Sequence, residues 1–155
     1  MACAAWALGE AEIDIADASV PWSGLAGSGD DIVLHDALCP MTPPAFIRAC
    51  LERARDTGLP VIGVRPVTDT VKVVSDGFVG ETVDRDGLLA IASPLVIPAA
   101  VAATLAPPSH DLARAVASLA AAGHRVEALE APPEGRRVSS MEALRLLEAL
   151  TDPRS

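Results

Sequence analysis

Two short apolar runs, Ile32 to Leu34 and Val61 to Val64, bracket a segment with helical spacing, and this alternation limits the folds open to the chain. Brief runs of Val, Ile and Leu suit strands buried on both faces. Between them Phe46, Ile47, Cys50, Leu51 and Ala54 recur so as to share one helix face. Thr42 ahead of Pro43 and Pro44 suits an N-cap with Pro in the first turn, and Gly58 suits a stop. Strand, helix and strand in this order read as a right-handed parallel crossover. Further on, Ser93 and Pro94 are expected to open a short Ala-rich helix. Ser109 is expected to cap another, with Leu112, Val116 and Leu119 on one face and Gly123 at its end. Arg125 to Leu129 alternates as a strand does. Ser139 and Glu142 have capping-box spacing before Leu144, Leu147 and Leu150. The repeated alternation predicts an α/β fold, a three-layer sandwich on a Rossmann-like sheet.

Thr70 to Leu89 breaks this pattern. Val71, Val73 and Val74 lead into Ser75-Asp76-Gly77, a turn signal, and then to Phe78 and Val79. The segment, about 66–90, reads as a protruding β-hairpin arm. The first thirty residues are less patterned. Glu12 to Ile15 allows a strand, and Ser23 to Asp30 reads as a loop with Gly24, Gly27 and Gly29. That glycine cluster lacks the Lys and the following helix that a phosphate loop requires.

Composition sets outer limits. The 155 residues suit one domain, 1–155, and half of them are hydrophobic, which argues against disorder. There is no Tyr and there are only two Phe and two Trp, so the core must be built from Ala, Val, Leu and Ile. Twelve Lys plus Arg against twenty-one Asp plus Glu give a net charge of −9, which repels phosphate backbones and excludes nucleic acid as a partner. Any anionic ligand needs a local basic cluster. Lys72 is the sole lysine. Cys3, Cys39 and Cys50 have no metal-type spacing and no even count, so reduced thiols in a cytoplasmic protein are expected. The N-terminus lacks the basic flank of a signal peptide. Leu88 to Pro108 carries no charge, but Pro94, Pro98, Pro107 and Pro108 interrupt it. A membrane span needs roughly 20 apolar helical residues. The stretch reads as a buried strand end followed by a buried helix.

Asp36 follows the first predicted strand, and ligands of open α/β sheets bind at the carboxyl ends of strands. Read from the residues alone, Asp36 is either a carboxylate that orients a metal or a ribose hydroxyl, or a cap on the next turn. His35 beside it reads as packed or hydrogen-bonded. Thr70 and Arg85 offer a hydroxyl and a guanidinium on the arm, which is either an anion-binding pair or a solvated hairpin. Arg136 and Arg137 precede a capped helix, where they either attract an anion or stay solvated. Cys39 has no activating cation or base in view and reads as a packed thiol.

Four motifs in fixed order carry a resemblance: IVLHDALCP (Ile32 to Pro40), PVTDTVK (Pro66 to Lys72), ETVDRDGL (Glu81 to Leu88) and GRRVSSMEAL (Gly135 to Leu144). Together they resemble the C-terminal two-thirds of the 2-C-methyl-D-erythritol 4-phosphate cytidylyltransferase family, over about residues 12–150. The resemblance implies that Asp36 lies near the metal and substrate. It implies that Thr70 and Arg85 reach from the arm into a partner subunit's site and help hold the substrate phosphate, and that Arg137 replaces a Lys with the same task. It also implies a homodimer formed through the arm, and Mg²⁺ if the protein is active.

Departures from that pattern are specific. The family's Ala-Ala-Arg-Pro is Ala37-Leu38-Cys39-Pro40 here, which removes a guanidinium. Thr-Pro-Gln is Ser93-Pro94-Leu95, and the first acid of Thr-Asp-Asp/Glu is His110. The Arg expected three positions before Ser19-Val20 is Ala16, and the Gly-rich triphosphate loop has no counterpart. Nucleotidyl transfer joins two anions, so catalysis is largely charge neutralisation. One lost donor commonly costs roughly 2.7–4 kcal/mol of barrier. The expectation is therefore a truncated, degenerate family member without catalysis, acting as a binding or regulatory homodimer, with no cofactor. The alternatives are an active cytidylyltransferase of isoprenoid synthesis, and a partner in a mixed dimer with a full-length homologue.

Overall fold

The computed structural model describes residues 13–16, 19–67, 72–75, 77–82, 87–138 and 140–151. The main sheet has four strands: β1 (Ile32–Leu34), β2 (Val61–Pro66), β5 (Leu89–Ile97) and β6 (Glu127–Glu130). Their order is β1-β5-β2-β6. β5 is antiparallel to both neighbours, and β6 is parallel to β2. β1 and β2 thus run the same way, as the crossover reading requires, but β5 lies between them.

Helices cover both faces of the sheet. On one face, α2 (Pro44–Thr57) packs Phe46, Cys50, Leu51 and Ala54 against Val61, Ala92 and Val96. Those are the positions the helical spacing selected, and Gly58 ends the helix in the left-handed conformation at φ 67°. On the other face, Val101 and Ala102 of α3 (Ala99–Ala102) join Leu112, Ala115 and Leu119 of α4 (Leu112–Ala121). They pack on Ile32, Ile62, Leu95 and Ile97. The result is a three-layer mixed α/β fold. A last helix, α5 (Met141–Thr151), follows a 3₁₀ turn at Pro133–Gly135.

Several local expectations need correction. Ser93 and Pro94 do not open a helix; they lie inside β5, and the peptide between them is cis. The register of β2 against β5 shifts between Ile62 and Val64, and Pro is tolerated in a sheet at such irregularities. The helix starts after Pro98 instead. Thr42 does not cap α2. Its hydroxyl donates to the Cys39 carbonyl at 2.9 Å, and Pro43 takes the N-cap position. Ser109 does not cap α4: Asp111 does, accepting from the Arg114 amide at 3.0 Å, while Ser109 accepts from Asp111. Ser140 caps α5 through the Ala143 amide at 3.1 Å. Ser139 lies outside the described residues.

The loop expected over Ser23 to Asp30 begins as a helix, α1 (Trp22–Ala26). Trp22 and Leu25 pack on the core, and the Trp22 indole donates to the Leu105 carbonyl at 2.9 Å. This tertiary anchor overrides the local glycines. Residues 13–16 form no strand, although Ile13 packs against the α2 side of the core. Leu88 to Pro108 is a strand end and short helix, as expected, and no described helix is long and apolar enough to cross a membrane.

β3 (Lys72–Ser75) and β4 (Phe78–Thr82) form the predicted hairpin as a separate antiparallel sheet. Gly77, at φ 82°, makes the turn that a side chain would strain. Phe78 beside it is 79% exposed.

Candidate functional site

β1 ends at Leu34, and the chain turns at once through His35 and Asp36. Asp36 holds that turn through its own side chain: Oδ1 accepts from the Leu38 amide at 2.9 Å. Its carbonyl accepts from the Cys39 amide at 2.8 Å. Its amide donates to Ser93 Oγ at 3.0 Å. Ser93 is fully buried and also meets His35 Nδ1 at 2.7 Å. Register explains the contact. Leu34 pairs with Leu95, so Ser93 lies on β5 alongside the residues that leave β1.

The second wall of the site comes from 101 positions further along the chain. Arg137 Nε donates to Asp36 Oδ2 at 2.8 Å. The Val138 amide donates to the Leu38 carbonyl at 2.7 Å, which ties the two loops together. Asp36 is mostly shielded, whereas the Arg137 side chain is 54% exposed. A guanidinium that accessible can meet a ligand without rearranging the core.

Burial pulls the Asp36 carboxyl upward, but the Arg137 hydrogen bond, the Leu38 amide and the charges of Arg137 and His35 outweigh it. The net effect holds Asp36 below the usual carboxylate range. Burial lowers His35 from its ordinary value of 6.5, against the pull of the Asp36 charge and the Cys39 carbonyl. That carbonyl already accepts from the Thr42 amide and hydroxyl, so it makes no hydrogen bond to His35 Nε2. Burial, then the Asp36 charge, pushes the Cys39 thiol up to about 11. Cys39 is therefore neutral at pH 7 and sits buried in the turn. Cys50, in the α2 core, is pushed up to about 12 by burial.

The His35 shift has a sign that solution measurements can read. A folded-state pKa below 6.5 means the unfolded chain takes up a proton that folded His35 refuses. The stability this represents is intact above 6.5 and is lost as pH falls toward the folded value. Urea unfolding at pH 7.5 and 5.5 is expected to show lower stability at the acid pH. His35→Asn keeps an acceptor near the Nδ1 position but cannot titrate, so the difference should shrink. An unchanged difference would remove His35 as its source.

Of the residues singled out in the sequence, Asp36 and Arg137 are brought together. Thr70 and Arg85 lie outside the described residues, and Lys72 sits at the start of β3. Ser93 is the residue that sequence reasoning missed. Its Ser-Pro pair looked like a helix start, and only strand pairing shows that its hydroxyl supports Asp36. As a metal ligand, Asp36 offers a single carboxylate. No group of three His, Cys, Asp or Glu side chains able to hold a metal occurs among the described residues. Mg²⁺ typically takes one or two carboxylates and fills its shell with water and substrate phosphates, so Asp36 fits only as one such ligand.

Comparison with known proteins gives the family and the fold. The family described as 2-C-methyl-D-erythritol 4-phosphate cytidylyltransferase matches residues 22–149. The enzyme of that name from Lysinibacillus sphaericus is 34% identical over 133 residues, covering 81% of this chain and 56% of the relative. That from Syntrophotalea carbinolica is 42% identical over 60 residues, covering 39% of this chain and 25% of the relative. The chain thus spans about half, or less, of the length of these curated relatives. Among solved structures, the cytidylyltransferase from Thermus thermophilus superposes with a TM-score of 0.69 at 17% identity, over 96% of this chain and 88% of that one. That likeness concerns the fold. With the family matched across most of its length, this chain belongs to the 2-C-methyl-D-erythritol 4-phosphate cytidylyltransferase family.

Proposed function

We propose that this chain carries the sugar-phosphate side of a cytidylyltransferase site and takes part in CTP-dependent transfer to 2-C-methyl-D-erythritol 4-phosphate. One observation supports this above the others: the Asp36–Arg137 pair at 2.8 Å. Two residues far apart in sequence, each of which the motif resemblance assigns to the ligand site, meet at the carboxyl end of β1. In this reading Asp36 stays ionised and would supply one carboxylate to a bound Mg²⁺. Mg²⁺, when bound, neutralises charge between the two anions. Arg137, with Thr70 and Arg85 of a partner's arm, receives the substrate phosphate. The free, buried thiols of Cys39 and Cys50 suit a cytoplasmic setting. The test is pyrophosphate release from CTP and the methylerythritol phosphate with Mg²⁺, using purified protein. Release at the rate of a protein-free control would end this reading for the chain.

A second reading is a non-catalytic binding or regulatory homodimer, and Cys39 favours it. A neutral thiol stands where the family motif places a guanidinium. Both readings use the arm for dimerisation, with itself or with a full-length homologue. Phe78 supports that role, because an aromatic side chain 79% exposed on a hairpin turn is a candidate interface anchor. Phe78→Glu is expected to shift the dimer to monomer in light scattering at micromolar concentration while leaving the thermal midpoint of the monomer unchanged. A dimer of undiminished affinity would show that the arm is not the interface.

A further inference from the structure

Three buried side-chain nitrogens have no hydrogen-bond partner among the described residues: His35 Nε2, and Nε and Nη2 of Arg136. All three lie on the two segments that meet at the Asp36–Arg137 pair. Those segments are laced by Val138 to Leu38 at 2.7 Å and by Arg137 to Asp36 at 2.8 Å. Folded proteins rarely leave buried donors unmatched, and an unmatched charged donor is the most costly kind. A concentration of them at one end of one sheet calls for a chemical reason.

Each of the three is a donor. Guanidinium nitrogens never accept. For His35 the assignment follows from Ser93. Its buried oxygen takes the Asp36 amide, and the partner left for its own proton is His35 Nδ1 at 2.7 Å. Nδ1 therefore accepts, and neutral His35 carries its hydrogen on Nε2. Groups that only donate select a ligand that only accepts. On a guanidinium, Nε–H and one Nη–H point the same way along a single edge, a fork that fits two oxygens of one phosphate or carboxylate.

We propose that Arg136 binds an oxyanion side-on through Nε and Nη2, at the end of the sheet that also carries Asp36, Arg137 and the His35 donor. This rests on the reading of that end as a ligand site. It goes beyond that reading by moving the bidentate anion contact from Arg137 to its neighbour. Arg137 spends its Nε on Asp36, and the pair's charges largely cancel. The Arg136 edge meets no acceptor in the described chain.

The probes are inorganic phosphate and, separately, acetate, titrated calorimetrically into the full chain. Saturable binding of either is expected. Tighter binding of phosphate identifies a phosphate as the natural group, and tighter binding of acetate identifies a carboxylate; either fits the proposal. Arg136→Met, which keeps much of the stem, should weaken binding at least tenfold. Arg136→Lys should weaken it less, because the charge remains while the fork is lost. A second measurement guards against a merely structural role. Without added anion, Arg136→Met should leave the thermal midpoint unchanged or raise it, since it removes unmatched buried donors. A midpoint lowered by several degrees, or phosphate and acetate affinities unaffected by Arg136→Met, would overturn the proposal. Pyrophosphate release is scored apart from this: phosphate binding at Arg136 without transfer would sink the cytidylyltransferase reading and leave the anion site standing.

Discussion

On the proposed cytidylyltransferase reading, Asp36→Asn is expected to lower pyrophosphate release from CTP and 2-C-methyl-D-erythritol 4-phosphate by about 10²–10³-fold, the range found when one preorganised electrostatic group is removed from a site. The substitution is nearly isosteric. Asn can still accept from the Leu38 amide, and the backbone contacts to Ser93 and Cys39 do not involve the side chain. The turn should therefore survive while its charge is lost. Two consequences follow from that charge. On that reading a bound Mg²⁺ would lose one carboxylate ligand, and Arg137 loses the partner that holds its Nε at 2.8 Å. A freed guanidinium can bind substrate phosphate more tightly, so KM should change little or fall while kcat drops. Circular dichroism and thermal melting would confirm that the fold persists. A kcat within threefold of the parent would remove Asp36 from the chemistry. The held-down pKa adds a check on pH. Asp36 stays ionised below the usual carboxylate range, so its protonation should not limit the rate at pH 5 or above.

Gly63→Ala is expected to destabilise the fold by about 1–3 kcal/mol, near the upper end, because overpacking here meets backbone. A Cβ at Gly63 would lie 2.9 Å from the Ser93 carbonyl oxygen, 3.1 Å from its carbon and 3.2 Å from Phe46 Cε1. A flexible side chain can yield to such a contact. A peptide carbonyl in the central strand of the sheet cannot move without shifting β5. Gly63 also sits where the β2–β5 register is irregular, between Ile62 and Val64. Its lack of a side chain lets the two strands close over that irregularity. The displacement would fall on Ser93, whose hydroxyl supports both Asp36 and His35. Stability and ligand affinity should therefore fall together, read by urea unfolding and by calorimetry. Gly63→Ala with parental stability would show that the strands have room to spare.

Much of this layout was legible in the sequence because it follows from local chemistry. The α2 face of Phe46, Cys50, Leu51 and Ala54 is set by spacing, and Gly58 ends the helix because glycine accepts a positive φ. The hairpin turn at Gly77 has the same cause. The misses share another feature: a local signal was overruled by a distant partner. Ser93-Pro94 has the grammar of a helix start, yet pairing of β5 with β2 on either side of it, at Ile91 and Leu95, keeps it within the strand. The glycines after Trp22 suggest a loop, yet packing of Trp22 and Leu25 on the core keeps a helical turn. Helix caps were displaced by one or two residues, since Thr42 and Ser109 bond within their own turns instead.

Composition and motif order by themselves determined the α/β class, the arm, and Asp36 and Arg137 as candidates, because side-chain periodicity and a short motif are properties of neighbouring residues. Only the tertiary structure decided that Asp36 and Arg137 touch, that Ser93 stands behind them, and that Arg136 keeps an unmatched edge. Those facts depend on strand order and register, which bring residues 57 and 101 positions apart within hydrogen-bond reach.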